Sequence, residues 1–233
     1  MTTLSHPFEQ FAERVLPSTL GEDVRCDFHM LARCHPLARE ASLDFAERSE
    51  QIVFVGRGAT KLVAHASESR DQVVAFHFAG EVFTVPEPDN YSYSVCALRE
   101  CELLTFASPE FLRLAEREAE IMRQLLDSTK LSLRRCREKT IALGRKTAGE
   151  RVAVFLLGMA RRIGVEQDGR VALELPMSRR DISESLGLTI ETVSRQLSKL
   201  KDDGVIETTG RSGIVLLDCP DLQRRAGFLK HAA

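Results

Sequence analysis

Long apolar runs are missing from this 233-residue chain. None approaches the roughly 20 residues that cross a bilayer, so no membrane span is expected. The opening MTTLSHPFEQF lacks the basic-then-apolar order of an export signal, which makes the cytoplasm the expected location. Its six cysteines (Cys26, Cys34, Cys96, Cys101, Cys136 and Cys219) are too scattered for a disulfide framework and read as reduced thiols. Ser/His/Asp and Cys/His groupings at recognised spacings are absent, as are phosphate-cradling glycine loops and HExxH-like metal motifs, so an enzyme is not expected. No internal repeat or low-complexity tract stands out. What remains is 43% apolar and 28% charged, ordinary for a globular chain long enough for one large domain or two modest ones.

The net charge of -2 conceals an asymmetry. Residues 1–133 hold 13 Lys+Arg against 21 Asp+Glu, and residues 134–233 hold 19 against 13. An acidic front and a basic back point to a polyanion met by the back half alone. Residues 1–40 read as helical patches, FEQFAERVL and then FHMLARCHPLAREASL, broken around Pro17–Gly21 and at Pro36. From about 51 to 106 the texture becomes β-rich: QIVFV, KLVAHA, QVVAFHF, EVFTV, YSYSVCAL and ELLTF, separated by turn residues, as in a small antiparallel roll.

Ser108-Pro109-Glu110 then opens a long helical stretch, with Ser108 as N-cap and Pro109 in the first turn. Within it Met122, Leu126, Thr129, Leu133, Cys136, Thr140 and Leu143 recur at alternating spacings of four and three, a heptad seam. The seam predicts a dimer helix; packing on the chain's own roll is the alternative. Gly144 ends the seam beside Arg145 and Lys146. TAGERVAVFLLGMARRIG follows as an amphipathic helix with Val152, Phe155, Leu156 and Met159 on one face. VALEL reads as a strand, and GVIETTGRSGIVLLD as a hairpin around Thr209–Gly213.

Between them, residues 178–203 read as two short helices and a tight turn. Ser178 and Asp181 form a capping box, with Ile182 and Leu186 facing the core. Gly187 takes the left-handed turn position, Leu188 fills the gap, and Thr189 caps the second helix. Val193, Leu197 and Leu200 form its buried stripe, which leaves Glu191, Ser194, Arg195 and Ser198 on the opposite face. Those side chains suit a DNA major groove. Arg195 can give two hydrogen bonds to guanine O6 and N7, Glu191 can accept from cytosine N4, and Ser194 can approach a neighbouring base. Ser178, Arg179, Lys199 and Lys201 lie where phosphates would be contacted. A bare surface pair of Glu191 with Arg195 is the plain alternative, worth about 0.2–0.5 kcal/mol.

TAGERVAVFLLGMARR, MSRRDISESLGLTIETVSRQL and the hairpin together resemble the cyclic-AMP receptor protein/FNR superfamily of bacterial transcription regulators, strongly over about 109–218 and more weakly in front. The resemblance implies an α+β chain. Residues 1–108 would form an N-terminal antiparallel, cyclic-nucleotide-binding-like β-roll with flanking helices. Residues 109–144 would form the dimerisation helix, and 145–233 a winged helix-turn-helix. It also implies a homodimer on a palindromic double-stranded operator, with RNA polymerase as partner. Glu191, Ser194 and Arg195 match the E-x-x-S-R pattern of the FNR and FixK branch, which reads TTGAT-type half-sites. Ile190 stands where the cyclic-AMP branch has an arginine.

The front half departs from the pattern. Gly80-Glu81 survives, but no arginine precedes Ser94 to clamp a cyclic-nucleotide phosphate. Cys26, Cys34, Cys96 and Cys101 lack the spacing of the FNR iron–sulfur ligands. No cofactor is therefore expected. An iron–sulfur cluster, or haem or nitric-oxide sensing through His29, His35, His65 or His77, remains the alternative function. A module that senses a ligand and uses the helix-turn-helix only for protein docking is the competing class. Cys136 is expected as a reduced thiol within the seam, with disulfide control as its alternative.

Overall fold

A computed structural model describes residues 5–45, 49–67 and 70–228. The chain divides into two compact units, 1–134 and 135–233.

In the first unit, helix α1 (Ser5–Val15) places Phe8, Phe11, Ala12 and Val15 at helical spacing, and all four are buried. Helix α2 (Glu22–Leu31) follows. The strands are β1 (Arg33–Leu37), β2 (Ser42–Asp44), β3 (Gln51–Arg57), β4 (Ala59–Ser67), β5 (Arg70–Phe78), β6 (Val82–Val85), β7 (Ser92–Ala97) and β8 (Cys101–Ala107). They form two four-stranded antiparallel sheets, ordered β1-β8-β3-β6 and β2-β7-β4-β5. Val53, Val55, Leu62, Phe83, Val95 and Leu103 fill the roll. Phe11, Phe54, Phe106 and Phe111 pack outside it, with Phe11 and Phe106 rings 4.8 Å apart and Phe106 and Phe111 rings 5.1 Å apart. Each such pair adds about 0.5–1.5 kcal/mol beyond simple burial.

One expectation fails here. The second helical patch, FHMLARCHPLAREASL, is helical only to Leu31 and then becomes β1 and β2. The reason is pairing: residues 33–37 lie against Cys101–Thr105 of β8, and Pro36 is tolerated because β1 is an edge strand.

The long helical stretch is likewise two helices, α3 (Ser108–Ala115) and α4 (Ala119–Arg145). Phe111, Ala115 and Ile121 all bury in the aromatic cluster, and the chain bends at 116–118 to let them, closed by Glu118 N–H donating to Ala115 C=O at 2.9 Å. Ser108 is not the N-cap. That position falls to Ala107, while the Ser108 hydroxyl donates to Glu50 at 3.0 Å.

The second unit holds the end of α4, then α5 (Ala148–Ile163), β9 (Val165–Gln167), β10 (Arg170–Glu174), α6 (Arg179–Leu186), α7 (Ile190–Asp202), β11 (Ile206–Thr209), β12 (Gly213–Leu216) and α8 (Cys219–Arg225). Its sheet runs β11-β12-β10-β9. Val152, Phe155, Leu156 and Met159 of α5 are buried, as their spacing requires. Nothing in the sequence pattern announces β9 or α8, both too short to show a period. No helix among the described residues is long and apolar enough to cross a membrane.

Candidate nucleic-acid interface

Helix α7 is placed by a series of local decisions. Ser178 starts α6: its N–H and hydroxyl donate to Asp181 Oδ2 at 2.7 and 2.6 Å, and Asp181 N–H donates back to Ser178 Oγ at 3.2 Å. A cap of this kind contributes about 0.5–2 kcal/mol. Because the one hydroxyl proton of Ser178 goes to Asp181, its side chain serves the helix end first. Gly187 then turns the chain at φ 61, ψ 43, and Leu188 N–H donates to Ser183 C=O at 3.0 Å. Thr189 caps α7, accepting from Thr192 N–H at 3.2 Å.

Gly187 yields the first prediction. A Cβ there would meet Leu143 Cδ2 at 3.4 Å, an ordinary contact, so the cost of Gly187→Ala is backbone strain alone. An L-residue in the left-handed region costs about 1–2 kcal/mol, which lowers the thermal midpoint of a unit this size by roughly 4–16 °C. Calorimetry should show that drop, and a smaller one for Gly187→Asn.

On α7, Val193, Leu197 and Leu200 are buried while Glu191, Ser194, Arg195 and Ser198 are exposed, together with Lys199 and Lys201. Among the ion pairs of the described residues, none joins Glu191 to Arg195. Arg179 is half-buried, which lowers its pKa from the usual guanidinium value by desolvation. Its neighbour Arg180 is exposed and held by Glu184 at 2.9 Å. Arg211 stands exposed at the tip of the β11–β12 hairpin, beside Gly210 at φ 62.

Along α4, Met122, Leu126, Thr129, Leu133, Cys136 and Thr140 are exposed and Leu143 is half-buried. The two threonines carry no cost on an apolar seam. Thr129 donates to Leu125 C=O at 2.8 Å and Thr140 to Cys136 C=O at 3.0 Å, so each turns its hydroxyl into the helix. Leu131 and Ile141 are also exposed but fall outside the seven-residue spacing.

Gly80 N–H donates to Val55 C=O at 2.7 Å, and the Glu81 carboxylate accepts from Phe78 N–H at 3.2 Å, so the turn that would meet a cyclic nucleotide serves the fold. Ser94 Oγ lies 2.9 Å from His65 Nε2, whose Nδ1 is 2.8 Å from Asp71. The phosphate-clamp position thus faces an imidazole rather than a guanidinium. Of the other imidazoles, His35 bonds Thr105 at 2.9 Å, with its pKa lowered by burial and by Arg33. His77 stacks on Phe83 at 3.6 Å, and His29 packs edge-on to Phe8 at 4.7 Å. Cys101 is buried, which pushes its thiol up to about 11. Among the described residues no three His, Cys, Asp or Glu side chains stand together to hold a metal ion. Among the described residues, no guanidinium bonds Ser94 and no group of thiolates stands together.

Residues 150–225 match the Crp-like helix-turn-helix domain, and residues 45–118 match the cyclic nucleotide-binding domain. The nitrogen fixation regulation protein FixK of Azorhizobium caulinodans is 35% identical over 177 residues, 76% of this chain and 71% of the relative. The chain belongs to the cyclic-AMP receptor protein/FNR family, in its FixK-like branch. The transcriptional activator protein FnrL of Cereibacter sphaeroides is 29% identical over 87% of this chain and 86% of its own length. The structure of FixK2 from Bradyrhizobium japonicum superposes with a TM-score of 0.74 at 33% identity, covering 87% of this chain and 98% of that one. A family member of this kind is a DNA-binding transcription regulator and not an enzyme.

Two cations that the family pattern did not single out organise the second unit. Arg151 and Lys139 are half-buried and donate to the last two residues of α6, Leu186 and Ser185. Only the run ERVA, with a charge beside an apolar helix face, hinted at the first.

Proposed function

We propose that this FixK-like regulator binds DNA as a homodimer joined along α4 and reads an inverted repeat of TTGAT-type half-sites through Glu191, Ser194 and Arg195. One observation carries the reading: a row of exposed acid, hydroxyl and guanidinium lies opposite the buried stripe of Val193, Leu197 and Leu200. Two such helices about 34 Å apart enter successive major grooves. Arg179, Lys199, Lys201 and the wing-tip Arg211 contact phosphates, and Ser178 supports that contact by capping α6. Met122, Leu126, Thr129, Leu133, Cys136, Thr140 and Leu143 form the interface between copies. The protein works in the cytoplasm as an activator with RNA polymerase. Its targets are genes of microaerobic, anaerobic or nitrogen-oxide metabolism, as the resemblance to the FixK and FNR branch implies; two of its relatives are named as a nitrogen fixation regulation protein and a transcriptional activator.

Binding to a TTGAT-N4-ATCAA duplex tests this directly. The logarithm of affinity should fall with the logarithm of salt by about 0.9 for each phosphate contacted. Lys201→Ala removes one such cation from each chain, so it should make that slope shallower by about 1 per half-site without changing sequence preference. A scrambled duplex bound equally well in titrations overturns the assignment.

A further inference from the structure

Arg151 projects from α5 and donates to three backbone carbonyls: Nη2 to Leu143 at 2.8 Å, Nε to Lys146 at 3.0 Å and Nη1 to Leu186 at 3.0 Å. Leu143 lies in the last turn of α4, Lys146 follows directly after its end, and Leu186 is the last residue of α6. These are helix-end carbonyls. The donor that would continue α4 onto Leu143, Thr147 N–H, instead goes to Glu150 at 2.7 Å as part of the next cap. One planar guanidinium thus joins the ends of two helices, where a positive charge also suits both dipoles.

A second tie lies earlier along α4. Lys139 Nζ donates to Ser185 Oγ at 3.1 Å, and Ser185 is buried. Burial pushes the Lys139 ammonium down to about 8, with Cys136 pulling the other way. Lys139 is half-buried, and exchanging a partly desolvated charge for a well-packed apolar side chain is often neutral or stabilising, so stability alone gives little reason for a lysine here. Hydrogen bonds of fixed length and direction do hold two helices at one angle, where apolar surfaces can slide.

We propose that Arg151 and Lys139 form a polar latch that fixes the angle between the last turns of α4 and the α6–α7 pair, and so sets the half-site spacing a dimer accepts. Both are positioning residues, since neither lies on the face that meets bases. The proposal rests on the reading that two copies join along α4.

The test uses full-length protein with TTGAT palindromes of three-, four- and five-base spacers and with an isolated half-site. Wild type should prefer the four-base spacer by about tenfold or more. Lys139→Met, Ser185→Ala and Arg151→Lys should keep half-site affinity while the preference shrinks to within about threefold. Lys139→Met should also hold or raise the thermal midpoint, so that a lost spacing preference is not the result of a weakened fold. Variants that retain the wild-type preference, or that lose half-site and palindrome binding in equal proportion, overturn the latch. A wild type that binds half-sites but shows no spacing preference overturns the dimer reading and the latch with it.

Discussion

Replacing Arg195 by alanine is expected to lower affinity for a TTGAT half-site about 5- to 150-fold, the range covered by the 1–3 kcal/mol of a two-pronged guanine contact. The expectation follows from position. Arg195 is exposed on α7, two residues beyond buried Val193, so removing its guanidinium leaves the core untouched. Glu191→Ala, one helical turn earlier, should cost less affinity and mainly relax discrimination at the cytosine it faces. In a dimer each effect applies at both half-sites. The decisive pattern is sequence-dependent: Arg195→Ala should bring the operator duplex close to a random one, while Lys199→Ala weakens both alike. Titrations in which Arg195→Ala and Glu191→Ala bind the operator as tightly as wild type would leave α7 without its proposed role.

Glutamates at Leu126 and Leu133 are expected to give a monomer whose palindrome affinity falls about 10²- to 10⁴-fold, the advantage that linking two half-site readers confers. Leu126 is 53% and Leu133 48% exposed in the single chain, so charge at either site disturbs no core of its own. Circular dichroism and the thermal midpoint should therefore stay near wild type while sedimentation shifts to one chain. Thr129 and Thr140 do not interrupt the apolar seam, since both hydroxyls are already bonded within the helix. Sedimentation showing an intact dimer of the double glutamate variant would move the interface elsewhere.

The exposed face of α7 was legible in the chain because helix geometry maps spacing directly onto space. Once Gly187, Thr189 and the Val193–Leu197–Leu200 stripe are recognised, the outward set of Glu191, Ser194 and Arg195 follows without any tertiary contact. The six β-rich runs of the front half were legible for a similar reason, each being long enough to show its texture. Residues 33–44 were not. Their composition permits a helix, and pairing of Arg33–Leu37 with β8 and of Ser42–Asp44 with β7 makes the two strands.

Local features were therefore written into the chain itself: the capping box at Ser178 and Asp181, the left-handed turn at Gly187, the spacing of the seam and the reading helix. Each depends on residues within about one helical turn of one another, where dihedral preference and side-chain spacing decide. The break at 116–118, the strand character of β1 and the meeting of Arg151 with Leu143 and Leu186 came instead from long-range packing. These depend on atoms brought together from distant positions, and a helix-end carbonyl looks the same in any sequence until folding sets a donor beside it.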